Sequence, residues 1–119
     1  MAKLPARAQR MRVYLGESDR HAGKPLYEVL VRLAKERDLG GATVFRGVMG
    51  YGANSRIHTA KITDLSSDLP ILVEFVDSPE RIAAFLPYVE AVLSGGMITI
   101  DEVAVVKYAG KPDGAGEGV

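Results

Sequence analysis

The chain has 119 residues, 25% of them charged and 47% apolar, and its fifteen Lys and Arg balance fifteen Asp and Glu. These values suit one globular domain and exclude the overall basic field that holds nucleic acid. The absence of cysteine excludes disulfides, thiolate nucleophiles and cysteine-ligated metal centres.

Met1 to Arg10 is basic without the apolar core of a secretory signal. No apolar run approaches the ~20 residues that cross a bilayer, so the chain is read as cytoplasmic. Residues 1–9 are expected to be a flexible N-terminal segment. Met11 to Gly16 alternates, with Met11, Val13 and Leu15 on one face and Arg12 and Tyr14 on the other, as in a half-buried strand. A polar connection, Glu17 to Lys24, leads to Pro25, which suits the first turn of a helix. Leu26, Val29, Leu30, Leu33 and Ala34 then form one apolar stripe, and Gly40 and Gly41 are expected to end the helix. Ala42 to Met49 reads as a second strand running into glycines, and Ile71 to Val76 as a third.

Ser78 is placed to cap a second helix with Pro79 at its first position and Glu80 complementing the dipole. Ile82, Phe85, Leu86, Val89 and Leu93 make its stripe, and Pro87 inside it predicts a kink or a restart. Gly95 and Gly96 stop the helix. Met97 to Tyr108 is a last strand, or two short ones, with a bulge expected near Asp101 because the apolar parity slips there. The glycine-rich tail, residues 110–119, has almost nothing to bury. The order strand, helix, strand, strand, helix, strand defines an α+β domain over residues 10–109. Its ferredoxin-like βαββαβ arrangement is an antiparallel sheet with both helices on one face. Ile71, Val73 and Phe75 oppose Leu72 and Val76, so the third strand is apolar on both sides. Two helices cover one side only, which predicts a homo-oligomer packed through its sheets.

The stretch Gly47-x-x-Gly50-x-Gly52 is neither a dinucleotide fingerprint, since no helix follows, nor a Walker loop, since the Lys-Ser/Thr pair is missing. Two readings remain. The glycines mark a bulge and an exit from the sheet, or they let backbone N–H groups approach an anion, with Arg46, Arg56 and Lys61 supplying charge. His58, with Ser55 and Asp64, superficially suggests a triad, but nothing supplies an oxyanion hole. His21 and His58 have no metal-ligand spacing. No catalytic and no metal residue is assigned, and the chain is not expected to be an enzyme. Gly95 and Gly96 read as a helix stop, with anion contact the alternative.

The segments GATVFRGVMGYG (Gly41 to Gly52), IHTAKI, DLPILVEFVDSPE and DEVAVVKY resemble the small uncharacterised bacterial and archaeal proteins classed as PII-like, and more distantly the PII nitrogen-regulatory proteins. The resemblance runs from about Arg10 to Ala109. It implies a homotrimer with its sheets inside, and a long loop between the second and third strands. It also implies adenine nucleotide in clefts between subunits. Carried over by position, it implies ligand contacts at Thr43, at Gly50, Tyr51 and Gly52, at Gly95 and Gly96, and at Lys107; Arg46 is added from its place beside the glycines. The uridylylated tyrosine of PII proteins has no counterpart in Ala53 to Leu69, and the basic residues around the triphosphate are thinner. AMP or ADP is therefore as much an expected ligand as ATP, and no other cofactor is expected.

The reading is a trimeric signalling protein whose nucleotide-ordered loop, residues 50–70, contacts a transporter or enzyme partner through Asn54, Arg56, His58 and Lys61. The alternatives are a small ferredoxin-like enzyme, for which no acid–base pair is evident, and RNA binding on the open sheet face. That face offers few stacking aromatics, Tyr14 and Tyr108 among them.

Overall fold

The structure, a computed structural model, describes residues 4–53, 57–59 and 68–112. The main elements are β1 (Arg7–Gly16), α1 (Leu26–Glu36), β2 (Ala42–Arg46), β3 (Pro70–Asp77), α2 (Pro79–Val92) and β4 (Met97–Ala104). The strands form one antiparallel sheet in the order β2-β3-β1-β4, the expected βαββαβ arrangement. Two short ladders accompany it: Arg20–His21 with Lys24–Pro25, and Met49–Gly50 with His58–Thr59.

The alternation in β1 sets the core. Met11, Val13 and Leu15 are buried and lie opposite Phe75, Val73 and Ile71 of β3, also buried. Residues directly opposite in an antiparallel pair share a face, so one side of the sheet turns toward the helices. Leu26, Leu30 and Ala34 of α1 and Ile82, Phe85 and Val89 of α2 close that side. Phe85 meets Phe75 edge to face, with ring centroids 5.0 Å apart, a favoured aromatic geometry.

The element ends depart from expectation in informative ways. β1 starts at Arg7, before the alternating stretch. The polar connection after it contains a tight hairpin in which Ala22 and Gly23 both have positive φ, as a two-residue turn matched to strand twist requires. Helix α1 is ended by Asp38, not by Gly40 or Gly41: Asp38 takes φ 61. The Leu39 N–H then donates to the Ala34 carbonyl and the Asp38 N–H to that of Lys35, which is a Schellman closure. Asp tolerates the left-handed conformation better than most side chains, which the glycine-centred reading overlooked.

Ser78 caps α2 as expected, its hydroxyl accepting from the Arg81 N–H at 3.2 Å. The helix continues through Pro87 to Val92 without a restart. Pro87 is exposed, so water can reach the carbonyl one turn earlier that loses its N–H partner. The bulge expected near Asp101 is absent. Pairing runs unbroken from Arg7–Ala104 to Tyr14–Met97, so Ile98 and Ile100 stand opposite Val13 and Met11 on the helix side while Val103 stands opposite Ala8 on the other side. β4 ends at Ala104, after which the Val105 N–H donates to the Ala6 carbonyl. At the same end of the sheet the buried Asp77 carboxylate accepts the N–H groups of Gly40 and Ser78, and the Tyr108 hydroxyl donates to the Gly40 carbonyl.

Gly96, the residue before β4, has φ +102, and a Cβ there would lie 2.2 Å from the Tyr14 carbonyl oxygen; at Gly95 a Cβ would meet nothing within 4 Å. The Gly96→Ala variant is expected to lose more than about 2 kcal/mol in urea unfolding, from left-handed strain plus a displaced strand. Gly95→Ala is expected to stay within about 0.5 kcal/mol of wild type.

Candidate functional site

The antiparallel order fixes two ends of the sheet. Gly16, Arg46, Pro70 and Met97 lie at one end, and Arg7, Ala42, Asp77 and Ala104 at the other. Arg46, Gly50, Tyr51 and Gly52 therefore share an end with Gly95 and Gly96. They leave opposite edges of it, β2 and β4, three strand spacings or about 14 Å apart. Thr43 is exposed on β2, three residues before Arg46, on the side away from the helices. Lys107 follows β4 and belongs to the far end. One chain thus gathers most of the expected ligand residues at one end without closing them round a common point, and leaves Lys107 apart. Of the expected partner-contact residues, Asn54, Arg56 and Lys61 lie outside the described residues, as do Ser55 and Asp64; for His58 the description extends to the backbone alone.

The glycines of the second strand serve packing first. A Cβ at Gly47 would lie 2.7 Å from Pro70 Cγ and one at Gly50 3.1 Å from it, while Gly52 is open. The strand expected to reach Met49 breaks at Gly47, whose N–H donates to the Pro70 carbonyl. Val48, Met49, Tyr51 and Ile57 are consequently exposed at 75, 59, 71 and 59%. The sequence reading placed Val48 and Met49 in the second strand and Tyr51 among the ligand contacts, and so did not anticipate one apolar group at the root of the long connection.

Both arms of that connection are tied to the turn after β1. The Arg46 guanidinium pairs with Glu17. The Glu17 N–H donates to the Leu69 carbonyl, and the Ser18 N–H donates to Asp68 Oδ1 at 2.7 Å. The Gly16 N–H donates to Asp19 Oδ2 at 3.0 Å. Carboxylates of the chain itself thus occupy the Arg46 charge and the Ser18 N–H. Glu17 and Asp68 carried no signal in the sequence, because a charged residue in a polar loop looks the same whether solvated or engaged. Beside the other glycines, Glu90, Leu93, Ser94, Gly95, Gly96 and Ile98 line an open depression of about 320 Å³. Among the described residues no group of three or more His, Cys, Asp or Glu side chains is placed to hold a metal ion, and no helix is long and apolar enough to cross a membrane.

The side of the sheet away from the helices has its own electrostatics. Arg10 makes a two-pronged bond to Asp101 (3.1 and 2.7 Å), and Arg12 Nε reaches Glu74 at 3.2 Å. Around them on that side lie Tyr14, Phe45, Leu72, Val76, Met97 and Val103.

The model of the DUF190 family, described as "Uncharacterized ACR, COG1993", matches residues 8–105, and the chain belongs to this family. A UPF0166 protein of Aquifex aeolicus is 41% identical over 96 residues, 81% of this chain and 90% of the relative. One of Methanocaldococcus jannaschii is 33% identical over 102 residues, 85% and 94%. The fold is PII-like. CPII, a nitrogen regulatory PII-like protein of Thiomonas intermedia K12 bound to ADP, AMP and bicarbonate, superposes with a TM-score of 0.59 at 15% identity, covering 85% of this chain and 90% of that one. A Thermus thermophilus chain described as a PII-like signalling protein gives 0.61 at 17% identity, covering 85% and 91%.

Hydrogen bonding from Arg10, against a smaller opposing cost of desolvation, holds the Asp101 carboxyl below the usual carboxylate range. Its folded-state value is depressed. The pair therefore adds stability above the unfolded value of about 4, and that contribution is lost as pH falls through the lower folded value. A carbon-13 NMR titration should place the Asp101 midpoint below that of an ordinary aspartate, and Arg10→Ala should move it up.

Proposed function

We propose that the chain is a PII-like regulatory protein that assembles as a homotrimer, takes a small anionic ligand at the seams between subunits and signals its occupancy to a protein partner. The ligand is an adenine nucleotide, AMP or ADP ahead of ATP. The protein acts by binding and not by turnover, and needs no further cofactor.

The observation that carries this reading is the convergence of Arg46, Gly50, Tyr51 and Gly52 with Gly95 and Gly96 at one end of the sheet, on opposite edges, in a fold shared with a protein bound to ADP and AMP. Edges about 14 Å apart do not close a site in one chain, but the β2 edge of one copy can meet the β4 edge of the next. Thr43 and Lys107 complete the proposed contact set, with Lys107 reaching the cleft from a neighbouring copy. Arg46 is held by Glu17 and exchanges that carboxylate for phosphate on binding. The same exchange loosens one of the ties on the root of the 50–70 connection, which couples ligand to loop by differential binding. The partner, a transporter or enzyme, meets the exposed Val48, Met49, Tyr51 and Ile57 at that root as well as Asn54, Arg56, His58 and Lys61 beyond it.

Calorimetry with AMP, ADP and ATP tests the ligand. At least one is expected to bind with micromolar affinity, and Arg46→Ala to weaken it about tenfold, the loss of one charge-assisted contact. Failure of all three to bind below millimolar concentration would overturn the nucleotide reading.

A further inference from the structure

The side of the sheet away from the helices is apolar at its margins and charged along its middle strand. Arg10 and Arg12 both project from β1 on this side, Arg10 directly opposite Asp101 of β4 and Arg12 directly opposite Glu74 of β3. Each arginine is bonded to the carboxylate it faces, the first of them by two hydrogen bonds. Two positive and two negative groups therefore cancel within the chain. Of the apolar side chains around them, Phe45 and Met97 are half exposed, at 47 and 52%.

We propose that the Arg10–Asp101 and Arg12–Glu74 pairs make this face able to pack against further copies of the same chain, by neutralising each arginine in cis before it is buried. The proposal rests on the assembly reading above and assigns its determinants. An arginine removed from water without a partner is costly, and one buried with its carboxylate already bonded is far less so. A partner chain then has no charge to supply. The occupant follows from the same balance. A face with no net charge meets its own copy without repulsion, whereas an acidic or basic partner gains no attraction from it. The half-exposed Phe45 and Met97 give such copies apolar surface to share.

Cross-strand ion pairs that water still reaches, as it does both of these in the single chain, contribute little to its stability. Their loss is therefore expected to show in assembly and not in folding. Losing one carboxylate leaves an unpaired arginine in every copy, and like charges then meet across the interface. Losing the arginine as well removes the fault.

Analytical ultracentrifugation of the full chain across a concentration series tests this. The wild type is expected to associate. Glu74→Ala and Asp101→Ala are each expected to raise the half-assembly concentration at least tenfold. The paired variants Arg12→Ala/Glu74→Ala and Arg10→Ala/Asp101→Ala should return it to within threefold of wild type. Glu74→Gln, which keeps the side-chain shape, repeats the measurement, and circular dichroism confirms that each variant is folded. The proposal is overturned if the wild type associates and the single variants associate equally well, which would place the interface elsewhere. It is also overturned if the double variants fail as badly as the singles. A wild type that sediments as a single chain refutes the assembly reading itself, before any variant is compared.

Discussion

Met11, Val13 and Leu15 on β1 stand opposite Phe75, Val73 and Ile71 on β3, and all six are buried against two helices. The side-chain period of a strand is two, so this one registration decides where every other strand residue points. It sends Arg10, Arg12 and Tyr14 to the other side, with Leu72, Glu74 and Val76 beside them. It sets Arg12 across from Glu74 and, through β4, Arg10 across from Asp101. A shift of one residue would bury arginines under the helices and expose the core. The packing of one face and the charge balance of the other are thus a single constraint.

The same antiparallel order brings distant glycine segments to one end. α1 carries the chain back before β2, and α2 does so before β4, so both outer strands have an end beside Gly16. Close contacts accumulate there: Gly47 and Gly50 lie against Pro70, and Gly96 against the Tyr14 carbonyl. Side chains would block these approaches, so the glycines hold the strands together where they leave or enter the sheet. Any ligand-binding use is laid over that packing role. The turn after β1 joins in, because Glu17 and Ser18 bond to both arms of the 47–69 connection, through Arg46 on one side and Leu69 and Asp68 on the other.

What could be read without coordinates was whatever repeats with a fixed period or needs a particular side chain at a boundary. The alternation in β1 and β3, the stripes on both helices and the Ser78-Pro79-Glu80 start of α2 are all local, and all appear as expected. The misplaced features depended on neighbours far away in the chain. The break at Gly47 answers to Pro70. The end of α1 at Asp38 rests on the way Leu39 and Ala34 close over the core. The change of apolar parity near Asp101 is a change of face without a bulge, with Ile98 and Ile100 opposite Val13 and Met11, and Val103 opposite Ala8 on the other side.

The sequence by itself determined the α+β class, the element order, the core face and an apolar surplus on the other side of the sheet, because hydrophobic period and capping chemistry act within a few residues. Only the tertiary structure decided that Arg10 and Arg12 are matched to Asp101 and Glu74, that Arg46 is held by Glu17, and that Lys107 lies at the opposite end from the glycines. The three pairings join strands and turns from 29 to 91 residues apart. The register of a folded sheet creates them, and no local pattern along the chain encodes which charge meets which.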